Sequence, residues 1–179
     1  MKELLITGAW RCGEQQVQAL EQMGYAVTFW PDERQAVNMD TQRFEAVICG
    51  GLFLTTPIEC FPALKCIQVT SAGLDRVPLD YCKAHGITVY NAGGVYSAPM
   101  AEFVLGGILQ LYKESKFFAE NQASHRWEKH RGLRELSGKT ACIIGTGSVG
   151  SAIARRLRAF DVQTVGINRY GHPAAEFDQ

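Results

Sequence analysis

No charge of one sign dominates this sequence: 18 Lys and Arg stand against 18 Asp and Glu in 179 residues, a formal net charge of zero. Without a basic excess there is no electrostatic footprint for nucleic acid or an anionic membrane surface, so neither is expected as a partner. Long hydrophobic runs are missing too. The longest candidate, Thr140–Ala154, is broken by glycines and polar residues and falls short of the ~18 apolar residues that a membrane span needs. The apolar start Leu4-Leu5-Ile6 is too short for a signal peptide, which sets the expectation of a cytoplasmic protein. The six cysteines, Cys12, Cys49, Cys60, Cys66, Cys82 and Cys142, include no C-x-x-C pair, and most lie in apolar runs such as Val47-Ile48-Cys49 and Ala141-Cys142-Ile143. Buried, reduced thiols are expected over a metal or redox site. What is present is ordinary globular material: 46% hydrophobic and 20% charged residues, enough for a sizeable core in one domain or two small ones.

Short β-branched runs alternate with helical segments from the start. Leu4–Ile6 reads as a strand, residues 13–23 as a helix with Val17, Leu20 and Met23 on one face, and Tyr25–Phe29 as the next strand after Gly24. Ala46–Cys49 is a third strand closed by Gly50-Gly51. Ile67–Val69 is a fourth, closed by Ser71-Ala72-Gly73. A short helix from Pro78 to about His85 leads through Gly86 into Ile87–Tyr90. This α/β alternation implies a parallel sheet with helices on both faces, because a parallel neighbour is reached only by a crossover. From Ser97 the chain is apolar on almost every helical face, so one helix is expected from Ser97 as N-cap to about Glu120, covered on all sides. Residues 121–138 are polar and read as a connection. The expected domains are 1–96, a connecting part 97–138, and 139–179.

The chemistry lies in the third part. Thr140-Ala141-Cys142-Ile143-Ile144 reads as a buried strand and runs directly into Gly145-Thr146-Gly147-Ser148-Val149-Gly150, a G-x-G-x-x-G. Val149, Ile153, Leu157 and Phe160 then form a helical apolar stripe, and Val162–Ile167 is another strand. A strand, glycine loop, helix and strand in that order are the context the dinucleotide fingerprint requires. The first glycine permits the tight turn, the second lets the backbone approach a pyrophosphate, and the third lets the helix pack on the strand. The helix N-terminus offers N–H groups and a positive dipole end to phosphate. About twenty residues on, where NAD-binding folds place an acid for the ribose, stand Asn168 and Arg169. An Arg there suits a 2′-phosphate, so the expected cofactor is NADP or NAD, with NADP favoured.

With these residues in hand, the chain resembles the D-isomer-specific 2-hydroxyacid dehydrogenase family. The likeness rests on Val69-Thr70-Ser71-Ala72-Gly73-Leu74-Asp75, Gly86-Ile87-Thr88-Val89-Tyr90-Asn91, Pro99-Met100-Ala101-Glu102, and Leu136-Ser137-Gly138-Lys139-Thr140 before the glycine loop. It implies a flavodoxin-like doubly wound parallel sheet as substrate domain, followed by a Rossmann βαβ unit that is incomplete here. It also implies that N–H groups of Ala72 and Gly73 hold the carboxylate of a small 2-hydroxy or 2-oxo acid, that Gly50 and Gly51 line the same cleft, and that Ser97 approaches the nicotinamide as well as capping its helix. Glu102 is read as structural, favoured by the helix dipole. The segment around Phe117, Phe118 and Trp127 belongs in relatives to a homodimer interface; an intrachain contact is the alternative.

In that family the orienting Arg, the acid–base His and its acidic partner come after the second Rossmann strand, and the residues from Lys139 to Gln179 have room for one βαβ unit of ~30 residues. No residue of this sequence is therefore given a catalytic role, and no metal site is expected. The four histidines do not replace the missing one: His85 precedes a turn glycine, His125 and His130 lie in the polar connection, and His172 lies in the tail. Two functions follow. One is an NAD(P)-dependent oxidoreductase truncated before its catalytic residues. The other is a non-catalytic remnant that binds a small carboxylate or a partner, self-associating or completed by a second chain through apolar surface left uncovered.

Overall fold

The computed structural model describes residues 1–179. Two compact units are present, Met1–Gly93 and Gly94–Gln179.

The first unit is a five-stranded sheet of β1 (Lys2–Thr7), β2 (Tyr25–Trp30), β3 (Ala46–Cys49), β4 (Cys66–Val69) and β5 (Thr88–Tyr90), with helices α1 (Glu14–Gln22) and α2 (Leu79–Ala84). Every pairing is parallel, and the strand order is β2-β1-β3-β4-β5. This is the doubly wound order of flavodoxin-like folds, whose direction of winding reverses between β1 and β3. Residues of β1 alternate between faces, as strand geometry demands. Leu4 and Ile6 join Ala46 on one side, with Leu20 of α1 packed there. Leu5 turns to the other, larger core with Phe44, Val47, Ile67 and Val69. Because Leu5 is wholly buried among these residues, Leu5→Ala is expected to cost about 2–5 kcal/mol in unfolding free energy, measurable by urea melts.

The second unit contains α3 (Ser97–Tyr112), α4 (Ser115–Ala123), β6 (Thr140–Ile144), α5 (Ser148–Arg158) and β7 (Gln163–Ile167). Strands β6 and β7 are parallel, with Thr140 beside Gln163 and Ile144 beside Ile167. Leu105 and Ile108 of α3 pack with Leu136, Leu157 and Val162, and Arg156 reaches Glu102 at 3.4 Å.

Several expectations change here. The single helix expected over 97–120 is two, because Glu114 adopts a left-handed conformation (φ 49°) that no continuous α-helix tolerates. Ser97 is the first helical residue; Tyr96 takes the cap position and no side chain caps the end. The helix is not covered on all sides, since Phe103 is 83% exposed. The β6 strand is half-buried on one face only, through Ala141 and Ile143, leaving Cys142 and Ile144 open. On α5 the fully buried residues are Gly150, Ala152, Ala154 and Leu157, and Phe160 lies outside. Small residues are buried because the helix lies close on α3 as well as on its strands. Of the cysteines, Cys49 and Cys82 are buried, whereas Cys60 and Cys142 are exposed.

The last residues run along the outer edge of β7. Gly166 donates its N–H to the Gln179 carbonyl at 2.8 Å, and Asp178 returns one to Thr164 at 3.0 Å. The Asp178 carboxylate accepts from the Thr164 N–H (2.7 Å) and hydroxyl (3.0 Å). These two bonds, aided by Arg158, hold its carboxyl below the ordinary 3.8. A depressed carboxyl stabilises the fold fully above its unfolded value and loses that contribution as pH falls further. Asp178→Ala is expected to lower the melting temperature at about pH 7 and to lower it progressively less as pH falls below about 4, as read by circular dichroism.

Candidate functional site

In the second unit the glycine loop is built on one close contact. A Cβ on Gly150 would lie 1.9 Å from the Gly145 carbonyl oxygen, so no side chain fits there. Gly145 itself has φ 103°, which glycine alone adopts without strain, and its N–H bonds the Ile167 carbonyl at 2.8 Å. At Gly147 nothing lies within 4 Å of where a Cβ would stand, so the backbone there faces open space. Gly147 is the N-cap of α5 and no side chain caps this end, leaving the first-turn N–H groups of Ser148, Val149 and Gly150 free for an anion. The Thr146 carbonyl accepts from the Ser151 hydroxyl at 3.3 Å, which fixes the loop to the helix. Arg155, Arg156 and Arg158 occupy the last turn and complement the dipole at its other end.

Asn168 differs from its expected role. Its Oδ1 accepts from the N–H groups of Tyr170 (3.1 Å) and His172 (3.2 Å), and its Nδ2 donates to the His172 carbonyl (2.7 Å) and Thr146 Oγ1 (3.2 Å). An amide has two donors and two acceptor sites, so all are spent and none is left for a ribose. Asn168 shapes the turn after β7 and ties it to the glycine loop. Arg169, beside it, is exposed and forms no ion pair. Ser97 has a buried Oγ without a partner, at the start of α3.

In the first unit, two turns follow neighbouring strands. After β4, the turn Ser71–Gly73 is held by the Ala92 N–H on the Ser71 carbonyl (2.9 Å), by Asn91 Nδ2 on the Ala72 carbonyl (2.7 Å), and by Ser71 Oγ on the Gly73 carbonyl (2.9 Å). Carbonyls are thus tied back, while the N–H groups of exposed Ala72 and Gly73 meet no acceptor within the chain. After β3, the N–H groups of Gly50 and Gly51 do have one. Both donate to the carboxylate of Glu33, Gly50 at 2.9 Å, and Thr7 Oγ1 at the end of β1 joins them at 2.6 Å. Gly50 and Gly51 therefore stand beside the Ala72–Gly73 turn with their own donors already engaged. Burial and the nearby Glu33 charge push the Cys49 thiol up to about 12, so it stays a neutral core residue. Glu33 and Thr7 were invisible to motif reading, because an acid in a polar turn and a threonine ending a strand have no spacing signature.

The histidines have other work. His85 bonds the Tyr81 carbonyl through Nδ1 at 2.9 Å and stacks on that ring, and His130 packs against Phe117. No group of three or more His, Cys, Asp or Glu could hold a metal ion.

The sequence profile of the D-isomer specific 2-hydroxyacid dehydrogenase NAD binding domain matches residues 105–179. A glyoxylate/hydroxypyruvate reductase of Arabidopsis thaliana is 32% identical over 118 residues, which cover 64% of this chain and 36% of that protein. Residues 105–179 thus match the NAD binding domain of the D-isomer-specific 2-hydroxyacid dehydrogenase family, and the chain is similar to members of that family. A glyoxylate reductase of Thermofilum pendens is 31% identical over 144 residues, covering 75% of this chain and 42% of that protein. The chain thus spans less than half the length of those two curated relatives. In fold it is similar to a D-isomer specific 2-hydroxyacid dehydrogenase family protein from Aeromonas salmonicida (TM-score 0.76, 23% identity, 99% of this chain and 57% of that one). It is also similar to an NADPH-dependent glyoxylate/hydroxypyruvate reductase from Sinorhizobium meliloti (TM-score 0.75, 24% identity, 97% of this chain and 57% of that one). No helix is long and apolar enough to cross a membrane.

The Gly145–Gly150 contact makes the loop intolerant of any side chain. Gly150→Ala is expected to cost at least ~1–3 kcal/mol and to abolish dinucleotide binding, checked by thermal melts and by titration with NADPH.

Proposed function

We propose that this chain supplies the carboxylate-binding unit and the pyrophosphate-binding βαβ unit of a nicotinamide-dependent oxidoreductase acting on a small 2-hydroxy or 2-oxo acid. The observation that carries the reading is the uncapped start of α5 behind an open Gly147. A helix end with free donors and no side chain in front is what a pyrophosphate requires. The residues present fit that group: Gly145–Gly150 would cradle it, with Thr146, Ser148 and Val149 contributing loop backbone. Arg169 has no internal partner and is placed next to the turn that Asn168 holds, which favours a 2′-phosphate and hence NADP over NAD. Proteins of similar fold include both an NADPH-dependent enzyme and one complexed with NAD, which agrees with a nicotinamide cofactor of either kind.

The substrate carboxylate is assigned to the N–H groups of Ala72 and Gly73. Turn donors without internal acceptors form an anion-binding concavity, and the absence of bulky side chains lets an acid reach them. The names of the relatives, glyoxylate and hydroxypyruvate reductases, agree with a substrate of this size. When bound, the nicotinamide exchanges a hydride with C2 of the acid. The chain's own residues hold the acid and the cofactor; none of its histidines is proposed as the acid–base. A cytoplasmic setting goes with this reading.

Exposed apolar side chains on the second unit favour a protein partner in addition, either a second copy or a complementing chain. Trp127 is 97% exposed and Ile144 86%, on the segment after α4 and on the open face of β6. Aromatic residues so placed are typical interface anchors.

Titration of the chain with NADPH and NADH, followed by nicotinamide fluorescence, tests the cofactor assignment. NADPH is expected to bind at least tenfold tighter, and Arg169→Ala to remove that difference of ~1.4 kcal/mol while leaving NADH within about twofold. Equal affinities in the unsubstituted chain would refute the NADP preference, and no binding of either nucleotide would refute the oxidoreductase reading.

A further inference from the structure

In a doubly wound sheet of order β2-β1-β3-β4-β5, the crevice for ligands opens where the winding reverses, beyond the carboxyl ends of β1 and β3. Here that crevice holds a carboxylate that belongs to the chain. The Glu33 side chain accepts from Thr7 Oγ1 at the end of β1 and from the N–H groups of Gly50 and Gly51 at the end of β3. Its own turn is pinned as well: the Thr55 hydroxyl donates to the Glu33 carbonyl at 2.7 Å. A Cβ on Gly50 would be 2.8 Å from the Glu33 carboxylate and 3.3 Å from Thr70 Oγ1, so the glycine leaves room for an acid lying between the ends of two strands.

We propose that Glu33 is a built-in occupant of the switch-point anion site and sets the substrate class, restricting the enzyme to monocarboxylic 2-oxo and 2-hydroxy acids. Two neighbouring turns could each offer N–H donors to an anion. Glu33 closes the β3 turn and leaves the β4 turn, Ala72–Gly73, as the one with unengaged donors. It also places a fixed negative charge one strand away, since paired strands lie ~4.8 Å apart. A substrate with a second carboxylate or a phosphate would have to put that group beside Glu33, where like charges repel in a partly dry cleft. A short acid with one carboxylate meets no such conflict. Arg76 lies with its Cδ 3.7 Å from the Cβ position of Gly51, and no ion pair joins it or any other cation to Glu33, so the charge of the site is not neutralised by a salt bridge.

This assignment rests on the substrate reading above, and its test separates the two. Glu33→Ala in the full chain frees the three donors. Formate is expected to raise the melting temperature of Glu33→Ala and not that of the unsubstituted protein, with chloride at equal ionic strength as control. In calorimetric titration, Glu33→Ala should gain at least tenfold affinity for oxaloacetate while its affinity for glyoxylate changes less than threefold. Absence of formate rescue, or an unchanged preference between the two acids, would overturn the proposal. If the unsubstituted chain binds neither acid, the substrate reading fails, and the restriction to monocarboxylic acids falls with it, whatever formate does. Should Glu33→Ala not fold, amide spectra of the unsubstituted chain decide the matter. With glyoxylate, the Ala72 and Gly73 signals are expected to move and those of Gly50 and Gly51 to stay, and movement of all four would refute the occupancy by Glu33.

Discussion

At the carboxyl end of a parallel strand the chain must leave the sheet for its crossover, and the N–H groups of that turn lose their ladder partners. Those donors need acceptors, and each such turn is either satisfied from within or left to water and open to an anion that displaces it. The two units meet this constraint in different ways. After β3, Glu33 satisfies the donors of Gly50 and Gly51, and after β4 the carbonyls are tied back while Ala72 and Gly73 keep their N–H groups. After β6, the donors of the first turn of α5 are simply left uncapped.

Which turns are closed and which open follows from packing more than from propensity. Closing the β3 turn needs an acid delivered from another loop, and the Thr7 hydroxyl and the pinned Glu33 carbonyl deliver it. Opening the β6 turn needs a helix brought so close that Gly150 touches the Gly145 carbonyl, and the buried Ala154, one turn on along the same face, allows that approach. Small residues on α5 therefore act on the loop through the helix position, while Asn168 secures the loop from the side of β7 through Thr146.

The sheet of the first unit was legible because period-2 runs such as Leu4–Ile6 and Ala46–Cys49 must alternate between two cores, and the structure has both. The glycine loop was legible because each of its glycines has a separate steric reason. Less visible was anything decided by one side chain meeting a distant backbone. Glu33 bonds residues 17 and 18 positions away, and Asn168 bonds Thr146 across 22. Periodicity carries no trace of such pairs. The break at Glu114 was hidden for another reason: apolar residues resume at Phe117 and Phe118 after only four polar positions, while the backbone turns left-handed at a residue whose identity gives no turn signal.

The use of charge follows the same division. Zero net charge does not mean an even field, because the groups that matter are few and fixed. Glu33 is immobilised by three donors, so its charge cannot swing away from an approaching anion, and it acts as a filter by position. Arg169 is free and exposed, so it can move to meet a phosphate and gives up little to do so. A rigid anion suits exclusion, since repulsion works only if the charge stays where it is. A mobile cation suits capture, since attraction brings the group to its partner. The carboxylate side of the chain is thus expected to select by exclusion, and the nucleotide side by attraction, with the mobile Arg169 the source of its preference for the cofactor that carries the extra phosphate.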